Sequence, residues 1–116
     1  MLLSTTLVAE NLRKIARAAK KDGSATVAIL NKKRGFGVAV HYNTKEFPRC
    51  GNWQHFGPGE YVTALEPMNC TVDGRWKDRA AGLLDSIEPA GRKSYHYQIE
   101  VITDRDRMND LRALNG

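Results

Sequence analysis

No run of about 20 apolar residues, the length a membrane helix needs, occurs in the 116-residue chain, and no low-complexity tract or internal repeat interrupts it. A helical membrane span and a collagenous chain are thereby excluded. The opening Met1-Leu2-Leu3-Ser4-Thr5-Thr6-Leu7-Val8 has no basic start, and its apolar run is short and broken, so a secretory signal is not expected. The cytoplasm is the expected compartment. Cysteine is scarce: Cys50 and Cys70 stand 20 apart with no CxxC, which suits a pair of structural cytosolic thiols rather than a disulfide framework. A zinc set of Cys50, His55 and Cys70 lacks a fourth ligand and regular spacing, so no metal is expected. No P-loop, dinucleotide fingerprint, zincin motif or nucleophile elbow is present, and no nucleotide cofactor is expected.

What is there is ordinary globular material, 41% apolar and 27% charged, enough for one domain with one core. The net charge of +5 is unevenly placed: residues 1–23 carry +3, residues 24–103 carry +2, and residues 104–116 are balanced. A basic excess confined to one end is weak support for nucleic-acid binding. In that end, Val8, Leu12, Ile15, Ala16 and Ala19 recur at helical spacing, with Thr6 as candidate N-cap and Asp22-Gly23 as the stop. A helix over Val8–Lys21 follows, with a narrow, alanine-rich stripe.

From Ser24 the period changes to two. Ala25, Val27 and Ile29 alternate with polar or small residues, and Asn31-Lys32-Lys33-Arg34-Gly35 makes a turn into Phe36, Val38, Val40 and Tyr42. Phe47 to Phe56 reads as a strand whose Pro48 suits an edge or an entrance. Gly57-Pro58-Gly59 is a turn, and Glu60 to Glu66 is a strand stopped by Pro67. Residues 68–90 have no clean periodicity, although Asp78 to Ile87 could hold a helical turn or a short strand. Tyr95, Tyr97, Ile99 and Val101 alternate with polar residues, predicting a strand with those four side chains buried. Residues 104–116 read as a polar, frayed tail holding at most one turn at Met108–Leu114. The expected fold is therefore mainly β, antiparallel, behind one N-terminal helix.

Two neighbouring segments carry the chemistry: Asn52-Trp53-Gln54-His55, and Leu65-Glu66-Pro67-Met68-Asn69-Cys70. Glu66 shares strand parity with Val62 and Ala64, so its carboxylate is expected among apolar neighbours. Desolvation there would make it a usable general base or acid. The competing reading puts Glu66 at a strand end, reaching solvent or a backbone amide. Trp53 either stacks on the apolar face of a sugar, with amides nearby for its hydroxyls, or packs in the core. Asn69 and Arg75 sit in predicted loops, where polar side chains bind ligands or simply serve turns. His41, His55 and His96 lie on separate strands, and His55 and His96 read as surface or cross-strand residues.

The run Asn52-Trp53-Gln54, then Gly57-Pro58-Gly59-Glu60-Tyr61-Val62-Thr63-Ala64-Leu65-Glu66-Pro67-Met68-Asn69-Cys70, then Gly74-Arg75, resembles the C-terminal part of aldose-1-epimerase-like proteins of the galactose mutarotase-like group. Gly82-Leu83-Leu84, Ile87-Glu88-Pro89-Ala90-Gly91 and Tyr95-His96-Tyr97-Gln98-Ile99-Glu100-Val101 resemble the closing strands of that family. The resemblance covers about residues 22–103. It leaves out the N-terminal helix (1–23) and the tail (104–116). One loop departs: the family's usual proline-glycine-glutamate is Pro89-Ala90-Gly91-Arg92 here.

The resemblance implies an antiparallel β-sandwich, present here in its C-terminal part, with a sugar site on one sheet face. It also implies a mutarotase mechanism, in which a glutamate takes the proton of the anomeric hydroxyl and a histidine protonates the ring oxygen. Glu66 matches that glutamate, and Trp53, Asn69 and Arg75 would line the sugar site. The family's acidic histidines lie in an N-terminal region this sequence does not match. The expectation is thus a truncated or split form with reduced or no activity, self-associating or pairing with a missing N-terminal half. Its ligand is a small-molecule sugar, with no cofactor, nucleic acid or membrane. The alternatives are a non-catalytic carbohydrate-binding or assembly module, and a small basic nucleic-acid- or partner-binding protein using the helix Val8–Lys21.

Overall fold

A computed structural model describes residues 20–114. The helix expected over Val8–Lys21 lies outside the described residues except for its last two positions. There Gly23 donates to the Lys20 carbonyl at 2.7 Å, closing a turn into the first strand. Five strands follow: β1 (Ser24–Asn31), β2 (Phe36–Asn43), β3 (Arg49–Gly57), β4 (Glu60–Met68) and β5 (Tyr97–Ile102). Two short helices complete the chain, α1 (Arg75–Ala80) between β4 and β5, and α2 (Arg105–Ala113) after β5. The protein is mainly β, and every strand pairing is antiparallel.

The strands form two sheets, one in the order β1-β2-β5 and one of β3 with β4. Register and parity decide what each face carries. Ala25 lies opposite Tyr42 and Val27 opposite Val40, and these four buried side chains make one core cluster. Phe47, Cys50 and Leu65 pack against it, so the inner face of the β3–β4 hairpin covers the β1–β2 part of the sheet. The opposite face presents Ala39 and Ile102, which are covered by Met108 and Leu111 of α2. Burying Val27, Val40, Ile102, Met108 and Leu111 contributes roughly 1.5–3 kcal/mol each.

Several expectations need correction. The C-terminal stretch is not a frayed tail: Asp104 caps α2, its carboxylate accepting from the Asp106 amide at 2.7 Å, while Met108 and Leu111 are buried. Their three-residue spacing is the helical signal, diluted in the sequence by six charged neighbours. Pro67 does not stop β4, which runs to Met68. In a two-stranded sheet each strand has an open side, where a missing N–H costs nothing. The four side chains expected to be buried are instead exposed: Tyr95, just before β5, by 38%, and on β5 Tyr97 by 63%, Ile99 by 60% and Val101 by 64%. β5 is an edge strand, the hairpin covers only β1 and β2 on that face, and Ile102 on the other face goes under α2.

The turn Glu88-Pro89-Ala90-Gly91 carries a local cost. Gly91 donates to the Glu88 carbonyl at 2.7 Å, closing a turn in which Ala90 has φ 59°. After a proline, that left-handed position favours glycine, and a Cβ there costs about 1–2 kcal/mol.

Candidate functional site

Strand alternation and a tight turn give the β3–β4 hairpin an outward face that is open to solvent among the described residues. Pro58-Gly59 joins β3 to β4 as a two-residue turn with Gly59 at φ 79°, which fixes Gly57 opposite Glu60. Counting back by twos, His55 then faces Val62, Trp53 faces Ala64, and Gly51 faces Glu66. Cys50 and Leu65 have the other parity and turn to the core. The outward row therefore carries Glu66, Trp53, His55, Val62 and Glu60 together. Trp53 is 52% exposed and Val62 46% exposed, far more than a core role requires. The rings of Trp53 and His55 lie nearly parallel, 13° apart with centroids separated by 6.4 Å. His55 Nε2 lies 3.1 Å from Glu60 Oε2, which leaves Nδ1 for a ligand.

Glu66 does share a face with Val62 and Ala64, but that face is the solvent side. The carboxylate is exposed, so the expected desolvation does not occur. It leans over β3, and a Cβ on Gly51 would strike the Met68 methyl and come within 3.5 Å of Glu66 Oε2. The bare backbone of Gly51 thus seats the carboxylate one pleat repeat from Trp53.

The remaining expected site residues lie beyond the end of β4. Asn69, just beyond β4, donates from Nδ2 to the Tyr95 hydroxyl at 2.8 Å. Arg75 is the first residue of α1 and is exposed. Among the described residues, neither hydrogen-bonds to Glu66 or Trp53. The Asn52 amide turns to the inner side, donating to Thr63 Oγ1 and the Ala64 carbonyl at 2.9 Å each. Cys50 lies on the inner face and His55 on the outer, so strand parity separates two of the three candidate zinc ligands. Burial pushes the Cys50 thiol up and keeps it protonated, the opposite of what a metal ligand needs.

Sequence reasoning missed a second polar constellation, on the α2 side of the three-stranded sheet. Thr26 Oγ1 lies 2.8 Å from His41 Nδ1, and His41 Nε2 lies 2.7 Å from Glu100 Oε2. Arg107 of α2 donates to the same carboxylate from Nε at 2.7 Å and from Nη2 at 2.8 Å. Those hydrogen bonds, from Arg107 first and His41 second, draw the Glu100 carboxyl down to about 2. The available signal was parity, since His41 and Glu100 alternate with the apolar residues of their strands. Nothing local announces a contact across 59 residues. A third constellation holds the approach to α1: buried Asp78 accepts from the Thr71 amide at 2.9 Å and from Thr71 Oγ1. The Thr71 hydroxyl and amide together hold the Asp78 carboxyl below the usual range.

Among the described residues, no group of three or more His, Cys, Asp or Glu side chains could hold a metal ion, and no helix is long and apolar enough to cross a membrane.

Residues 2–101 match the model of a family described as a domain of unknown function, DUF4432. The match spans most of the chain, which therefore belongs to this family. It takes in residues 2–21, ahead of the stretch that the resemblance to epimerase-like proteins covers. No curated protein and no solved structure matches the chain.

Proposed function

We propose that the chain is a carbohydrate-binding, aldose-1-epimerase-like protein of the cytoplasm, its two sheets belonging to a galactose mutarotase-like β-sandwich. The observation that carries this reading is the pairing of an exposed Trp53 with Glu66 on one open strand face. An indole offers the flat apolar surface on which the C–H face of a pyranose stacks, and a carboxylate beside it accepts hydrogen bonds from hydroxyls. Packing of Cys50 and Leu65 onto Ala25, Val27, Val40 and Tyr42 supports two layered sheets. The ligand is a small sugar.

In the catalytic form of this reading, Glu66 takes the anomeric hydroxyl proton, the C1–O5 bond opens, and reclosure on the other face gives the second anomer. A general acid at the ring oxygen must complete the step. His41 cannot supply it, because Thr26 and Glu100 hold both of its ring nitrogens on the other sheet. His55 lies four residues along β3 from Gly51, the position that seats Glu66. Acid and base contributions are each worth roughly 10²–10⁴-fold, so a base without an adjacent acid gives slow exchange. The same observation favours a second reading, a non-catalytic carbohydrate-binding module that uses the face without the chemistry.

The test is anomer exchange by NMR on several aldoses, alongside sugar binding read from tryptophan fluorescence. Trp53→Ala should weaken binding, and Glu66→Gln should remove whatever acceleration the wild type shows while binding persists. Exchange equally fast in wild type and Glu66→Gln would take Glu66 out of the mechanism. Binding untouched by Trp53→Ala would take the sugar off this face.

A further inference from the structure

β5 is open where the other strands are guarded. It ends the three-stranded sheet, so one side of its backbone pairs with β2 and the other faces solvent. Among the described residues, no backbone hydrogen bond other than those to β2 involves Tyr97–Ile102. Tyr97, Ile99 and Val101 are each at least 60% exposed, and no lysine, proline or bulge blunts the edge. The other strands differ. Pro48 precedes β3 and Pro67 lies within β4. β1, the opposite edge of the sheet, has Ala25 and Val27 buried beneath the hairpin, with Ala28 and Leu30 packed against the cluster under α2. An exposed apolar row on an unpaired edge is a template for another strand.

The sequence of β5 decides which strand fits. In an antiparallel pair, residues directly opposite each other share a sheet face. Two copies of β5 related by a two-fold axis therefore meet only with the axis on a residue, never between two. With the axis at Glu100, two carboxylates lie opposite each other and repel. With the axis at Gln98, only Tyr97 to Ile99 overlap within the strand. With the axis at Ile99, the overlap extends from Tyr97 to Val101. Tyr97 of one copy then meets Val101 of the other, and Ile99 meets Ile99, all on one face. On the opposite face the Gln98 amide of one copy meets the Glu100 carboxylate of the other, whose charge Arg107 already offsets.

We infer that the chain forms a two-fold dimer through β5, joining two three-stranded sheets into one of six strands. The paired edges and their apolar cross-strand contacts bury on the order of 1,000 Å² in total, at the low end for a specific interface, so the dimer is reversible and fills at micromolar concentrations. The inference is independent of the sugar reading, whose face lies on the other sheet.

Sedimentation velocity on the full chain, from about 1 μM to about 300 μM, should show a monomer passing into a dimer and no larger species. Ile99→Lys sets like charges opposite each other on the axis and should raise the dissociation constant at least about tenfold. Val72→Lys, at an apolar residue 81% exposed outside the strand, should leave it unchanged. Thermal midpoints close to that of the wild type check that both variants fold. Cross-linking reads the register without a charge on the strand. In a Cys70→Ser background, a short thiol cross-linker should join Ile99→Cys to itself, and Tyr97→Cys to Val101→Cys in an equal mixture. Tyr97→Cys alone and Val101→Cys alone should give little product. A monomer at every concentration would overturn the inference, and so would a dimer that Ile99→Lys leaves as strong as before. Preferential joining of Tyr97→Cys to Ile99→Cys would overturn the axis at Ile99. Open-ended assemblies would overturn the two-fold.

Discussion

His41 and His55 each face a carboxylate, yet the two regions around them serve opposite ends. Around His41, every polar group is engaged: Thr26 on one nitrogen, Glu100 on the other, and Arg107 of α2 closing the carboxylate's second oxygen. The side chains of His41 and Glu100 are 26% and 25% exposed, and the network ties β1, β2, β5 and α2 together. Around His55, the partner is a single exposed glutamate at 3.1 Å, and the neighbouring Trp53 and Glu66 face solvent. A polar group already satisfied by protein has little to offer a ligand, whereas an exposed one can exchange water for a sugar hydroxyl. The first region is architecture. The second is the surface we assign to recognition.

The comparison breaks if the two regions respond alike to substitution. The largest effect should come from the α2 side, where Met108→Ala removes a side chain only 2% exposed and should cost about 2–5 kcal/mol in denaturant unfolding. On the open side, Val62→Ala should stay within about 0.5 kcal/mol. A similar loss for both would mean that the outward face of β3–β4 is covered in solution.

Acid sharpens the same contrast. The Glu100 carboxyl lies at about 2 in the folded chain against an ordinary 4.5, drawn down first by Arg107 and then by His41. A carboxylate lowered on folding adds stability above its unfolded value and loses it as pH falls through the folded one. The thermal midpoint of the wild type should therefore fall as pH drops from 4.5 to about 2. Glu100→Gln should have a lower midpoint at pH 7 and a shallower acid decline. An identical decline in both would exclude Glu100 as a source of the pH dependence.

A smaller change lies outside both regions. Ala90→Gly relieves the left-handed alanine at φ 59° and should raise stability by about 1 kcal/mol, without touching either face. An effect of similar size concerns binding. Trp53→Ala should weaken a sugar by about 0.5–1.5 kcal/mol, the worth of one stacking surface, with unfolding nearly unchanged. A destabilisation of several kcal/mol would return Trp53 to a packing role.

Much of the β architecture was legible because period-two patterning is local. Ala25–Ile29, Phe36–Tyr42, Glu60–Glu66 and Tyr95–Val101 all fall on or beside strands, and the Pro58-Gly59 turn fixes the hairpin register. What local pattern cannot state is which face is covered. Tyr97, Ile99 and Val101 alternate as a buried row should, but their strand lies at a sheet edge beyond the hairpin's reach. Glu66 shows the same gap from the other side: its parity with Val62 and Ala64 was correct, and the side assigned to that parity was not. The capped helix α2 was hidden by its charged residues, and the His41–Glu100–Arg107 network by the distance along the chain between its members.

The account rests on the open face of β3–β4 being where sugar binds, and a ¹H–¹⁵N correlation titration with lactose tests it directly. The shifts should gather on the Trp53 indole N–H and on the backbone amides of Gly51, His55, Val62 and Glu66, while Thr26, His41 and Glu100 stay in place. Movement centred on the His41 network, or a Trp53 indole signal unmoved at high lactose concentration, would contradict it.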